Sequence, residues 1–213
     1  MKKFIPILIA SLFACWSCDL KDTYTQTNVR DMVNVEKGIL FNDYGYVLNP
    51  VEDAVGADKW KIEGARFYAV YDILNRDLDI RLKEVYRSHF VEAEEVEDPE
   101  ELSKDPLELD VQGISGGYIN LGFVFTRLKN SNNAHVINFH YQMENNTLNL
   151  YAEHLGFNED PLHEDEDNLV TEERMFSIST KDLPTFTGLT LVLNVIAKES
   201  GEYVIKQENY RLY

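Results

Sequence analysis

Cysteine, cationic residues and long apolar segments are all scarce in this sequence, and each scarcity excludes a class of protein. The only two cysteines, Cys15 and Cys18, lie within the first 18 residues. The rest of the chain therefore has neither disulfide bonds nor cysteine-ligated metals to stabilise it. Lysine and arginine number 20 against 37 aspartates and glutamates, which gives a formal net charge of -17. Because this charge repels phosphate, we exclude nucleic acid as a partner.

The most apolar segment lies at the amino terminus. Lys2 and Lys3 precede an apolar run over residues 4–14, which is of signal-peptide length and too short to span a bilayer as a helix. Residues 1–17 resemble a bacterial lipoprotein signal, in which a cysteine becomes the acylated first residue. Cys15 fits the usual lipobox better, whereas Cys18 gives a more typical signal length. We favour Cys18 as the lipidation site, because the sequence Cys-Asp-Leu-Lys-Asp that starts there resembles the export tag of Bacteroidetes surface lipoproteins.

This pattern predicts where the protein resides. Residues 18–31 are polar and predict a tether that buries too little apolar surface to fold. The expected location is the outer membrane, facing the periplasm or the cell surface, with the lipid as the membrane anchor. A secretory signal without lipid is the alternative.

Alternation of apolar and polar residues runs through most of the remaining chain, and it predicts an all-β fold. It is clearest in the run Ile119, Leu121, Phe123 and Phe125, which is typical of a strand with one face on a core. Residues 32–96 predict a small OB-like barrel of four or five strands, with one strand over 35–41 and a bulge or strand end at Glu84-Val85. The acidic residues 97–106 predict a linker between separable modules, and residues 107–213 an antiparallel β-sandwich.

Two runs within the sandwich predict a hairpin. If residues 143–146 form a four-residue loop, Phe139 faces Leu150 and every apolar residue lies on one side. The same register places His135 opposite His154 on the core side and leaves His140 on the exposed face.

The histidine pair is the main candidate for a metal site. Two imidazoles at cross-strand distance bind a metal ion when a carboxylate joins them, with Glu153 or the acidic segment 158–167 as donor. Since only two ligands are identified, we expect His135 and His154 to hydrogen-bond loop backbone instead, and we predict no metal, cofactor or catalytic residue. The segment 158–168 lacks the EF-hand order, which favours a solvated loop over a Ca²⁺ site.

Two other groups of residues are candidate sites. Ser115 lies between glycines but does not form a nucleophile elbow, because no helix follows it. The predicted barrel carries a mixture of aromatic and basic residues, which is typical of oligonucleotide or sugar binding: Tyr68, Arg81, Lys83, Tyr86 and Arg87. The net acidity argues against the first, which leaves a carbohydrate or a protein as ligand.

Several short motifs resemble the NigD-like lipoprotein family of the Bacteroidetes. They are Glu63-Gly64-Ala65-Arg66-Phe67, Gly116-Gly117-Tyr118-Ile119-Asn120-Leu121, His135-Val136-Ile137-Asn138 and Leu148-Asn149-Leu150. The resemblance implies an N-terminal OB-like domain and a C-terminal β-sandwich over nearly the whole chain. It implies a bacteriocin-immunity role for the founding member, whereas most members have no assigned activity. Two departures are Asp19 and Asp22, where many relatives carry an unbroken aspartate run, and Leu155, where many carry asparagine.

The expected function is therefore a non-enzymatic interaction module of immunity type, with an unknown protein or glycan partner. A surface carbohydrate- or peptide-binding accessory lipoprotein is the alternative. A metal-dependent hydrolase built on His135, His154 and the acidic segment is a third hypothesis from a different class.

Overall fold

The structure, a computed structural model, describes residues 24–130, 134–156 and 166–212. The described residues form thirteen strands in two sheets. The strands are β1 Gln26–Glu36, β2 Ile39–Asn42, β3 Val47–Asp53, β4 Arg66–Ile73, β5 Asp79–Val91, β6 Ala93–Glu95, β7 Glu108–Ser115, β8 Tyr118–Leu128, β9 Val136–Glu144, β10 Thr147–Leu155, β11 Leu169–Ser179, β12 Gly188–Glu199 and β13 Glu202–Arg211. Within the described ranges, no helix is long and apolar enough to cross a membrane.

The first five strands close into a small barrel. They pair in the order β3-β2-β1-β4-β5, and an additional pairing of β3 with β5 closes the ring. A single helical turn, α1 (Ala57–Trp60), lies between β3 and β4 and inserts the buried Trp60 into the core. The indole Nε1 donates a hydrogen bond of 2.8 Å to Asp53 Oδ2. This arrangement confirms the predicted OB-like barrel.

The sandwich shares a sheet with the barrel. Strand β5 is long enough to leave the barrel and pair with β11, so that β5, β11, β8 and β7 extend the barrel sheet to eight strands. The second sheet has the order β13-β12-β10-β9-β6. The alternating residues of β8 lie between the two sheets as predicted, fully buried against β9, β10, β11 and β12.

The all-β fold is confirmed, but the sandwich is not purely antiparallel. Strand β10 pairs with β12 in parallel, as do β6 with β9 and β5 with β11. The chain leaves β10, crosses to the other sheet as β11 and returns as β12, so β12 runs in the same direction as β10. A parallel pair needs such a crossover, which strand periodicity does not reveal.

The predicted hairpin register is wrong by two residues. Strands β9 and β10 are joined by a two-residue turn, with Glu144 facing Thr147 and Phe139 facing Ala152. Both turn residues, Asn145 and Asn146, adopt positive φ, which asparagine tolerates better than most residues. Because the shift is an even number, the apolar residues remain on the predicted face.

Two predictions for the amino-terminal strands also need correction. The strand predicted over 35–41 is two strands, because Lys37 and Gly38 adopt positive φ and form a tight turn between β1 and β2. Residues 26–31, predicted to be tether, form the first half of β1 and pair with β4. Backbone pairing rather than side-chain burial orders this segment.

The predicted bulge is confirmed, since the β4–β5 register shifts between Val70 and Tyr71 and leaves Lys83 without a partner residue on β4.

The predicted linker lies beside strands that cross the module boundary. Strand β6 precedes it and pairs with β9 of the second sheet. A short 3-10 helix, Pro99–Glu101, lies within it. Whether the two modules separate after cleavage at 97–106 stays a prediction.

Candidate functional site: a cleft at the histidine pair

A cleft opens at the end of the sandwich where β10 and β12 part. Their ladder ends at the pair Ala152 and Leu193. Beyond it, the segment just before β7 fills the gap: Asp105 forms a β-bridge with His154, and Leu107 N donates a hydrogen bond of 2.8 Å to Asn194 O. The cleft lies beside this segment, between the two sheets.

The cleft has a volume of about 540 Å³ and a lining that combines apolar and polar side chains in similar measure. Leu107, Leu109 and Phe125 form one wall, and Val195 and Ile196 of β12 form the other. Strands β7 and β13 are the adjacent edges of the two sheets, so this side of the sandwich is not closed by further pairing among the described strands. A space of this size and lining is typical of a ligand site.

His135 and His154 lie in direct contact at one end of the cleft. Nδ1 of His135 is 2.9 Å from Nε2 of His154, and Nδ1 of His154 is 2.9 Å from the carbonyl oxygen of Pro106. A carbonyl only accepts, so Nδ1 of His154 is the donor in that bond. In the neutral ring Nε2 then accepts from Nδ1–H of His135. The corrected register puts Ile137, not His135, opposite His154, but the predicted proximity of the two rings is observed.

The surroundings of the pair favour the neutral imidazole of His154. Both histidines are buried, and the ring of Phe125 packs on each, with centroid distances of 5.3 and 4.9 Å. Burial lowers the pKa of His154, and the neighbouring His135 and Arg174 lower it further, while Pro106 O and Asp105 oppose the shift. Arg174 also donates to the backbone carbonyl of His135. His154 therefore contributes an uncharged imidazole to the cleft at neutral pH.

The charge along the cleft comes from carboxylates. Asp105, Glu108 and Glu208 line it, and the described lining residues include no lysine or arginine. Hydrogen bonds from Tyr210 and Lys206 lower the pKa of Glu208, so it is ionised at neutral pH. The same contact and burial raise the pKa of Tyr210 to about 12. An apolar cleft with an anionic rim fits a ligand that combines apolar surface with positive charge.

Among the described residues, the ligands considered for the alternative metal site do not come together. Glu153 lies on the opposite face of β10, where it accepts hydrogen bonds from Ser103 N and contacts His140 at 3.1 Å. His140 is thus half-buried rather than exposed. Most of the acidic segment 158–168 lies outside the described residues. Over the described ranges, no cluster of three or more histidine, cysteine or acidic side chains has the geometry for a metal ion.

The aromatic and basic residues that the sequence offered as a barrel binding site have different surroundings on the barrel. Arg81 pairs with Glu52, and Lys83 with Asp72, so these cations are already partnered on the barrel surface. Arg87 is exposed. Tyr68 and Tyr86 face each other across β4 and β5, with ring centroids 6.4 Å apart.

A buried ion pair was not predicted from the sequence. Both of its residues belong to the barrel, and it lies where the barrel meets the sandwich. Arg66 and Asp43 have side chains 0% and 1% exposed and form a two-pronged contact, with Nη1 to Oδ1 at 2.6 Å. Arg66 also donates to Asn120 and Ser177 of the sandwich. Ser115 donates to the Asp43 carboxylate, which explains its role without any nucleophilic chemistry.

The motifs that carry the family resemblance coincide with this ion pair. Arg66 comes from one motif, and Asn120 from another. In the second motif Tyr118 lies under the Arg66 guanidinium at 4.7 Å, and Gly116 approaches Asp43 so closely that an added Cβ would lie 2.6 Å from its carboxylate. The only sign of this contact in the sequence was the presence of Arg66 and Gly116 in two of the resemblance motifs. Residues of these two motifs therefore connect the barrel to the sandwich.

Comparison with solved structures relates this fold to proteins from several Bacteroides species. A protein of unknown function (DUF1344) from Bacteroides vulgatus is 16% identical with a TM-score of 0.59, over 87% of this chain and 92% of its own. A NigD-like immunity protein from Bacteroides caccae is 16% identical with a TM-score of 0.54, over 87% and 98%. A protein provisionally named a lipoprotein, from Bacteroides fragilis, is 12% identical with a TM-score of 0.52, over 88% and 99%.

At these identities the likeness concerns the fold. No protein-family model matches the sequence, and no curated protein matches it either. The resemblance predicted from the motifs is confirmed at the level of architecture: the chain shares its fold, over most of its length, with a NigD-like immunity protein.

Proposed function

We propose that this protein is a membrane-anchored extracytoplasmic lipoprotein that acts as a non-enzymatic interaction module of immunity type. The observation that carries the proposal is the sandwich cleft, with apolar side chains on both walls, a rim of three carboxylates and the uncharged imidazole of His154 at its end. Its partner is a protein segment that presents apolar and cationic side chains together. The printed names of two structural relatives, an immunity protein and a provisional lipoprotein, support the same direction.

The anchor is tested through the two cysteines. Cys18→Ala abolishes acylation and releases the protein from the membrane fraction, because one cysteine carries the lipid that holds the chain there. Cys15→Ala leaves fractionation unchanged, since position 15 lies in the discarded signal. Mass spectrometry of the amino-terminal peptide is the direct measurement. An acylated Cys15, or an unmodified soluble chain, contradicts the proposed anchor.

The interaction is tested with peptides of opposite charge. Full-length protein in phosphatidylcholine nanodiscs is immobilised and exposed to an alternating leucine–lysine peptide and to its leucine–glutamate counterpart, with empty nanodiscs as blank. The lysine peptide binds and the glutamate peptide does not, because the rim is anionic. Glu108→Gln with Glu208→Gln weakens binding at least fivefold, whereas the matched exposed change Glu202→Gln does not. Equal binding of both peptides, or equal loss in the Glu202 control, contradicts the proposal.

A further inference from the structure

A second, smaller cleft lies on the curved face of the eight-stranded sheet, where the barrel becomes the sandwich. It has a volume of about 180 Å³, and its floor is the backbone of β8 and β11 around Gly122. Tyr68 and Tyr86 of the barrel form one side. This is less than the roughly 300 Å³ at which sites for drug-sized molecules begin, so the cleft has room for about one sugar ring.

Two departures from regular strand structure open this cleft. Gly122 faces Met175 on one neighbouring strand and Val111 on the other. A Cβ at position 122 would lie 2.5 Å from the Met175 sulfur and 2.9 Å from Val111 Cβ, so glycine is what allows these two side chains to pack against β8 beside the cleft. The β7–β8 register shifts between Leu109 and Val111, and this bulge carries Asp110 to the cleft. Bulges and strand glycines are often found where a sheet accommodates a ligand.

The polar groups around the tyrosines include both donors and acceptors. Glu84, Asp110 and Glu173 line the cleft, and all three act on the Tyr86 hydroxyl, whose pKa rises to about 12 chiefly through its hydrogen bond to Glu84. Arg30 lines the same cleft and hydrogen-bonds Tyr68. Three carboxylates against two guanidinium groups, those of Arg30 and Arg174, leave the lining net negative, which disfavours phosphates and sulfates. Carboxylate oxygens accept hydrogen bonds from sugar hydroxyls, guanidinium groups donate to them, and an aromatic face packs on the apolar face of a pyranose.

We propose that the cleft at Tyr68 and Tyr86 is a binding subsite for a single neutral pyranose unit of a saccharide. Tyr86, which is 36% exposed, provides the packing surface. Gly122 lets the Met175 side chain lie close against β8 and so leaves the cleft free, and the carboxylates of Asp110 and Glu173 accept from ring hydroxyls. This subsite is separate from the sandwich cleft, so its occupancy is independent of the proposed protein partner.

Saturation-transfer NMR on the full-length protein in nanodiscs tests the subsite. The probes are the methyl glycosides of glucose, galactose and mannose, with N-acetylneuraminic acid as an anionic probe and lipid-only nanodiscs as blank. At least one neutral glycoside gives transfer above the blank, and the anionic probe gives none. Transfer only to the anionic probe, or to none of the neutral glycosides, overturns the proposal.

Variants locate the signal. Tyr86→Ala lowers the affinity of the responding glycoside at least tenfold, and Gly122→Ala abolishes binding because the added Cβ displaces the Met175 side chain, which lines the cleft. Tyr203→Ala, which removes a 62% exposed tyrosine elsewhere, leaves it unchanged. Asp110→Asn serves as a second test if Gly122→Ala fails to fold, and it weakens binding because an acceptor becomes partly a donor. Undiminished binding in both Tyr86→Ala and Asp110→Asn assigns the signal to another surface and overturns the subsite.

Discussion

The protein contains two buried polar centres that differ in charge and in purpose. At the junction of barrel and sandwich, Arg66 and Asp43 keep full charges out of water and satisfy them with hydrogen bonds from both modules. At the end of the sandwich, His135 and His154 are buried in contact beside an open cleft, and burial keeps His154 neutral. Buried charge survives only where every donor and acceptor is met, as at the junction. Beside the cleft, desolvation is instead avoided by losing the proton.

The largest expected effect is at the junction. Arg66→Ala leaves the Asp43 carboxylate buried without its partner, which costs about 3–5 kcal/mol of unfolding free energy. Denaturant unfolding of the full-length chain measures it. Arg81→Ala is the matched control, because Arg81 and Glu52 form an exposed pair, and we expect it to leave stability unchanged. Similar results for the two variants contradict the view that the junction is a buried ionic centre.

The glycine next to this ion pair sharpens the comparison. Gly116 and Gly38 both have positive φ, +59 and +73 degrees, but only Gly116 faces a neighbour, the Asp43 carboxylate. Alanine at either site costs about 1–2 kcal/mol of backbone strain. Gly116→Ala additionally displaces Asp43, so it loses more stability than Gly38→Ala, by about 1–3 kcal/mol. Thermal melts of the two variants measure the difference, and equal losses contradict the proposed crowding.

The histidine at the cleft predicts that stability depends on pH near neutrality. The pKa of His154 is lowered in the folded state, so its stabilising contribution is complete above the unfolded value of about 6.5 and is lost as pH falls below it. His135 and Arg174 reinforce this direction, and Asp105 opposes it. Unfolding free energy measured between pH 7 and 5 declines less in His154→Gln than in the parent. His89→Gln, an exposed control, retains the full decline; an unchanged slope in His154→Gln contradicts the assignment.

The smallest effect is expected where the sequence predicted a linker. A protease recognition sequence inserted between Glu100 and Glu101 allows the chain to be cut there. Two fragments result, but they elute together in gel filtration, because β5 pairs with β11, β6 with β9, and Arg66 bonds both modules. Fragments that elute separately would show that the contacts at the junction contribute little to holding the modules together. The Arg66–Asp43 centre would then not differ from the histidine pair in structural importance.

Sequence alone determined the features that depend on local periodicity. The alternation in β8 identified its buried face, and the break near Glu84 identified a bulge, since both follow from side-chain directions along one strand. Parity also placed His135 and His154 on the core side, and it survived a two-residue error in register. The tight turns at Lys37-Gly38 and Asn145-Asn146 were missed because a positive φ at lysine or asparagine is decided by the strands on either side.

Only the tertiary structure decided how distant segments meet. The parallel pairing of β10 with β12 requires a crossing through the other sheet, and Arg66 joins the barrel to the sandwich through its hydrogen bonds to Asn120 and Ser177. The clefts at His154 and at Tyr86 each combine residues from strands far apart in the chain. A local pattern cannot specify such contacts, because their free energy comes from burial and charge pairing that exist only after the two sheets have packed.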